Sequence, residues 1–158
     1  FILPTLCDIG ETDLAYELIA KKEYPSWGYM LENGATTVWE RWNGYTKEDG
    51  FEDPEMNSFN HYSLGSCVEW LYSYVLGIKL DEDTEEVTIK PTVSERLTFA
   101  KGGTKVSGGK ISVCWKREEN VVTIEVAADV GVKYHVNTEG RMILSKEKNG
   151  NNIKLVIK

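Results

Sequence analysis

Histidine, proline and cysteine are scarce in this sequence, with two, four and three among 158 residues. Cys7, Cys67 and Cys114 stand far apart and odd in number. No CxxC pair and no His/Cys ligand spacing exists, so they read as free, buried thiols and no metal is expected. A basic stripe is missing as well. With 18 Lys and Arg against 25 Asp and Glu, the net charge is −7, which argues against a nucleic-acid partner, because phosphate binding needs clustered positive charge. No apolar run approaches the roughly 20 residues that a helix needs to cross a bilayer, so no membrane partner is expected. No signal peptide is visible. The chain opens on Phe1 rather than methionine, which reads as a processed or truncated product and leaves its compartment open.

What is present is enough for a real core, with 41% hydrophobic and 11% aromatic residues and no low-complexity tail. The two halves differ in chemistry. Residues 1–80 carry 13 acids against 5 bases and 14 of the 17 aromatics, whereas residues 81–158 carry 12 acids against 13 bases. Such asymmetry suggests two units with different jobs, divided at about Asp81.

In the first half, "ETDLAYELIAKK" predicts a helix capped by Thr12 or Asp13, with Lys21 and Lys22 in its last turn and Pro25 beyond. Leu14 and Leu18, with Ala15 and Ile19, make its apolar stripe. "NSFNHYSLGSCVEWLYSYVLGI" predicts a second helix, capped by Asn57 or Ser58 and ended by Gly77. Its stripe is Leu64, Val68, Leu71, Tyr72 and Val75. Between them, "SWGYMLENGATTVWERW" reads as a turn or hairpin leading into a short helix, and "NGYTKEDGFEDPEMN" as an irregular loop. A connection this long within a compact domain is usually functional.

From about Asp81 the pattern alternates apolar and polar residues and is rich in Val, Ile and Thr, as in antiparallel strands packed as a sandwich. Gly102-Gly103 and Gly108-Gly109 mark turns, and Asn149-Gly150 marks a hairpin. "GIKLDEDTEE" is the junction. Two helices and a loop in about 80 residues cannot cover their own apolar surface well, so the first half reads as the end of a larger helical domain.

Glu40, in "GATTVWERWNGY", is the chemical candidate. Trp39 and Trp42 flank it, and Trp27 and Tyr29 lie upstream. Sugar rings stack their C–H faces on aromatic planes, and tryptophan beside a carboxylate supplies the dry setting a general base uses. Two readings stay open on composition: a sugar site, or a core of Trp39 and Trp42 with Glu40 paired to Arg41 or Lys47 at the surface. His61 is either a binding residue or a structural one at a helix start, and Asn60 could hold a loop carbonyl or a substrate hydroxyl. His135 has no assigned role.

Three segments, "YPSWGYM", "GATTVWERW" and "MNSFNHY", occur in the order and spacing of the bacterial α-L-rhamnosidases of glycoside hydrolase family GH78, which the chain closely resembles over roughly Pro4 to Ile78. The following "LTFAKGGTKVSGGKISVCWK" resembles, more weakly, the β-sandwich domain that closes such enzymes. The resemblance implies an α + β chain of two domains, residues 1–80 forming the last helices of an (α/α)6 barrel and residues 81–158 a C-terminal antiparallel β-sandwich. It implies an inverting hydrolase of rhamnose-containing glycosides that needs no cofactor and no metal. By the same resemblance Glu40 is the general base and His61 a sugar-contacting residue, with Trp39, Trp42 and Trp27 as pocket aromatics and Asn60 and Arg41 beside them.

The family's general acid lies upstream of any segment matched here. Asp49, Asp53 and Glu55 are tempting replacements, but they read more simply as a solvated acidic loop. The isolated chain is therefore expected to be inactive and to need the missing N-terminal part of the same enzyme. An incomplete barrel would also expose apolar surface that a second copy could cover, making a homo-oligomer. The competing reading is a carbohydrate-binding or structural β-sandwich module with an attached helical segment. Trp115, Phe99 and Tyr134 fall in strand-like runs and are expected in the core, which favours bracing over binding.

Overall fold

A computed structural model describes residues 2–53, 55 and 57–158. The chain divides into two compact units, Phe1–Glu69 and Trp70–Lys158.

The first unit opens with a helix that patterning did not reveal, α1, Ile2–Asp8. It ends in a left-handed turn at Gly10, φ +90°. There the Gly10 N–H reaches Cys7 O at 3.1 Å and the Glu11 N–H reaches Leu6 O at 2.8 Å, the paired bonds of a Schellman stop. Helix α2, Thr12–Ala20, starts at once from Glu11, without a side-chain cap. The expected Thr12 or Asp13 cap is thus replaced by a backbone hand-over, because Glu11 closes one helix and opens the next. The buried face of α2 is also shifted, to Ala15 and Tyr16, while Leu14 remains 42% exposed. Lys21 and Lys22 fall just past its last turn.

After the cis Tyr24–Pro25 bond, Ser26 caps α3, Trp27–Glu32, by accepting from the Tyr29 N–H at 2.9 Å. This is the short helix of the region, and it precedes the Glu40 segment instead of containing it. Residues 35–44 are irregular. The loop beyond holds a small hairpin, β1 Tyr45–Thr46 against β2 Gly50–Phe51. Pro54 and Met56, in the expected acidic loop and helix lead-in, lie outside the described residues. The last helical run begins as α4, Tyr62–Gly65, and α5, Cys67–Trp70. Its cap is His61, not Asn57 or Ser58.

In the second unit the run widens into a π turn over Leu71–Val75, where the Leu76 N–H reaches Leu71 O at 2.9 Å. The extra residue in that turn shifts the residues that follow, and Tyr74, Val75 and Leu76 join Trp70 as the buried set. Of the expected stripe, Val75 is buried, Leu64 is half-buried, and Val68, Leu71 and Tyr72 are exposed. The Trp115 indole N–H donates to the Val75 carbonyl at 2.7 Å, which satisfies an acceptor that a helix end leaves open.

Strands β3 Ile78–Leu80, β4 Val87–Ile89 and β8 Tyr134–Val136 form a three-stranded sheet. Residues 81–86, the supposed junction, close the β3–β4 hairpin, with Asp81 accepting from the backbone N–H groups of Asp83 and Thr84. Those bonds hold the Asp81 carboxyl below the usual range, that from Thr84 most. A five-stranded sheet follows the order β5-β6-β7-β10-β9, with β5 Phe99–Val106, β6 Gly109–Glu118, β7 Val121–Ala128, β9 Ile143–Asn149 and β10 Asn152–Ile157. Both sheets are antiparallel except at β4–β8, which is parallel; residue alternation is blind to strand direction. Ile111, Val113 and Trp115 on β6, with Val122, Ile124 and Val126 on β7, are buried, the period-2 face a strand presents to a core.

Asn149 and Asn152 pair around Gly150, as the hairpin signal indicates. Gly102-Gly103, however, is no turn. It lies inside β5, where a Cβ on Gly102 would sit 2.5 Å from Leu76 Cδ1, so glycine there admits a close neighbour. Phe99 also departs from expectation, at 60% exposed, because it occupies the outward register of an edge strand.

Gly77 ends the helical run at φ +72°, and a Cβ there would stand 2.2–2.3 Å from backbone atoms of Lys90 and Pro91. Gly150 has φ +56°, and a Cβ there would meet nothing within 4 Å. Gly150→Ala should therefore cost only the left-handed penalty, about 1–2 kcal/mol, and Gly77→Ala should cost more, over about 3 kcal/mol. Chemical denaturation of the two variants measures the difference.

Candidate functional site

The site begins with how residues 37–40 are held. The Glu40 N–H donates to Ser58 O at 2.9 Å and the His61 N–H donates to Val38 O at 2.8 Å. The Thr37 hydroxyl adds a bond to Phe59 O. The two segments thus lie side by side, running in opposite directions. Residues distant in sequence, Glu40 and the Ser58–His61 stretch, are thereby brought together, chiefly by backbone bonds.

Adjacent side chains on the extended segment point to opposite sides. The Trp39 ring turns inward, 4% exposed, and meets Phe59 and Tyr45 edge-on at 5.4 and 6.3 Å. Tyr45 and Phe59 in turn meet Phe51 at 5.2 and 5.4 Å. Such edge-to-face pairs are the favoured aromatic geometry. Glu40 faces outward and is exposed. Its carboxylate accepts from the Ser58 N–H at 3.2 Å, so Glu40 and Ser58 are joined both through the backbone and through the side chain.

Trp42 and Trp27 are half-buried and meet edge-on at 4.9 Å, and the Trp27 indole N–H donates to Leu64 O at 3.0 Å. Trp27 also borders a cleft of about 190 Å³ with Ile2, Leu3, Pro4, Ser66, Cys67 and Glu69. Burial pushes the Cys67 thiol up, the direction that makes a thiol inert. Asn60 is exposed, within reach of solvent beside Glu40's partner segment. His61 is half-buried, its ring stacked on Tyr62 with centroids 5.7 Å apart. Its Nδ1 accepts from the Ser63 N–H at 3.3 Å, which fixes the ring's orientation and directs Nε2 away from the helix end.

Arg41 does not pair with Glu40. Its guanidinium lies 3.5 Å from Asp53 Oδ2, and the Glu55 N–H donates to Asp53 Oδ1 at 3.0 Å. Asp49 is engaged by the Thr46 hydroxyl. Asp49 and Asp53 therefore serve the loop's own structure. Among the described residues no group of three or more His, Cys, Asp or Glu could hold a metal, and no helix is long and apolar enough to cross a membrane.

Sequence reasoning missed the pairing of Asn57 with Gly44. Asn57 reads as a candidate helix cap, yet its amide N–H₂ donates to Gly44 O at 2.9 Å. No local signal marks that contact: an Asn ahead of a helix looks like a cap until the true cap, His61, is known.

The match of residues 1–75 places them among six-hairpin glycosidase domains: the family is described as bacterial alpha-L-rhamnosidase 6 hairpin glycosidase domain. An alpha-L-rhamnosidase of Alteromonas sp. (strain LOR) is 40% identical over 134 residues, 82% of this chain and 15% of that protein. One of Streptomyces avermitilis is 41% identical over 117 residues, 73% of this chain and 11% of that protein. The crystal structure of a Streptomyces avermitilis alpha-L-rhamnosidase complexed with L-rhamnose superposes with a TM-score of 0.78 at 30% identity, covering 98% of this chain and 16% of that one. Over residues 1–75 the chain is thus a portion of a bacterial α-L-rhamnosidase six-hairpin domain, and it spans 11–15% of the length of these two curated relatives.

With Trp39 at the centre of an aromatic cluster, Trp39→Ala should destabilise the fold by about 3–5 kcal/mol. Tyr62→Ala, removing a ring that is 85% exposed, should change stability by less than about 0.5 kcal/mol. Urea unfolding followed by tryptophan fluorescence and circular dichroism separates the two.

Proposed function

We propose that this chain is part of an inverting α-L-rhamnosidase that hydrolyses terminal α-L-rhamnosides, with Glu40 as its general base. The observation that carries the reading is the double link between Glu40 and Ser58, which aims an exposed carboxylate from a rigid backbone pair. An inverting enzyme needs such a base to take a proton from water on the face opposite the leaving group. Its acid partner stands roughly 6.5–9.5 Å away so that the water fits.

The remaining residues divide the work of holding the sugar. His61 and Asn60 offer hydrogen bonds to ring hydroxyls. Trp42 and Trp27 supply the aromatic wall against which a sugar that ends in a methyl group packs. Trp39 supports that wall from beneath, and Arg41, tied to Asp53, sets the loop edge. The relative whose structure holds L-rhamnose supports rhamnose as the glycone.

On this reading residues 1–80 are the closing helices of an (α/α)6 barrel and residues 81–158 a bracing β-sandwich. Leu14, Leu31 and Val68, which are 42%, 67% and 47% exposed, are positions that neighbouring barrel helices, or a second copy, would cover. Trp115 is fully buried and Phe99 is 60% exposed, so of the two it is Trp115 that supports bracing over glycan binding. Asp49 and Asp53, being committed to their own loop, make poor acids. The general acid then comes from the rest of the parent enzyme.

In that enzyme Glu40→Gln should lower kcat by about 10²–10⁴-fold and leave KM within about threefold. Unchanged turnover rejects Glu40 as the base. Proton NMR of the first sugar released should show β-L-rhamnose ahead of mutarotation; the α anomer would reject inversion. The isolated chain should leave an aryl rhamnoside intact over hours, and sustained release of the aryl alcohol by pure chain would reject the need for an external acid.

A further inference from the structure

Glu40 is held by the peptide of Ser58, and the residue before that peptide is itself anchored. The Asn57 amide donates to Gly44 O at 2.9 Å, and the Glu52 N–H reaches the same carbonyl at 3.3 Å. Gly44 lies four residues after Glu40, and Asn57 one residue before Ser58. The contacts therefore close a ring: from Glu40 along the chain to Gly44, across to Asn57, on to Ser58, and back to the carboxylate. A Cβ on Gly44 would stand 2.8–2.9 Å from the Asn57 amide atoms, so any larger residue there would displace that amide.

Asn57 Oδ1 is buried and, among the described residues, has no hydrogen-bond partner. Such a group costs stability, and a side chain chosen for stability alone would not carry it. The geometry points to Asn57 as a positioning residue for Glu40, with Gly44 as its seat. Its amide fixes the Ser58 peptide, and that peptide aims the carboxylate at the water. This rests on the proposed role of Glu40 as base.

The test is a double-mutant comparison in the parent enzyme. Asn57→Asp keeps the shape and loses the donor, while Gly44→Ala disrupts the same contact from the other side. Each should lower kcat by about 10–100-fold, the scale of an ångström-sized misplacement, with KM within about threefold. The decisive readout is the combination with Glu40→Gln. If Asn57 acts through Glu40, adding Asn57→Asp to Glu40→Gln should lower kcat no further. A full multiplicative loss in the double variant, or unchanged kcat in Asn57→Asp, overturns the inference. If Gly44→Ala does not fold, Asn57→Asp and its double variant decide alone. Should Glu40→Gln itself retain activity, the reading of Glu40 falls first, and that outcome is distinct from an Asn57→Asp variant that behaves as wild type beside an inactive Glu40→Gln.

Discussion

The pairing of residues 38–40 with residues 58–61 is the constraint on which the first unit depends. Glu40 and His61 are twenty-one positions apart, and neither sits in a long helix or strand that could orient it. Two backbone bonds, Glu40 N to Ser58 O and His61 N to Val38 O, do that work instead. They also set which side chains face inward. Once Val38 and Glu40 are committed to pairing, Trp39 must turn to the side away from Glu40, and there it meets Phe59 and Tyr45. The aromatic cluster and the exposed carboxylate are two consequences of one alternation. Removing the cluster would loosen the pairing, and removing the pairing would scatter the cluster.

The second unit rests on a comparable device. A helical run that ends in a buried position leaves carbonyls without partners, and the π turn over Leu71–Val75 would add to that burden. Trp115 answers it by donating to the Val75 carbonyl from within β6, so the largest side chain of the sheet core is also a hydrogen-bond donor at the helix end. Leu76 then fits against β5 only because Gly102 has no side chain. Helix end and sheet are thereby locked by one indole, one leucine and one glycine.

Several of these features are legible in the sequence. The period-2 runs locate β6, β7 and β10, the Asn149-Gly150 turn locates the final hairpin, and Gly77 marks the end of the helical run. Motif resemblance points to the family and to Glu40 with His61. The errors have physical causes. The helical stripe fails at Leu71 and Tyr72 because a π turn changes the period that the pattern assumes, and nothing local announces it. Thr12 is a good cap in isolation, but the Schellman stop at Gly10 has already used Glu11 to start α2. Gly102-Gly103 resembles a turn because a glycine pair in a strand and in a turn look alike until the neighbour, Leu76, is known. Asn57 reads as a helix cap because its actual partner is a carbonyl thirteen residues away.

A general base needs accessibility and fixed aim, which conflict in most proteins. Access favours a loop, and a loop side chain samples many rotamers, at a cost of about 1.5–2 kcal/mol to fix a glutamate. In the proposed role as base, Glu40 would meet both demands, its side chain in the open and its carboxylate tied to the Ser58 peptide N–H, whose own position is set by pairing. A hydrogen bond from a backbone donor is suited to this, because the donor cannot rotate away as a hydroxyl can. Tryptophan contributes at one remove: Trp39 stiffens the segment from below instead of walling the carboxylate. On the proposed reading, the dryness that a sugar site needs would then come from Trp42, Trp27 and the sugar itself, which would displace water from the outward face on docking.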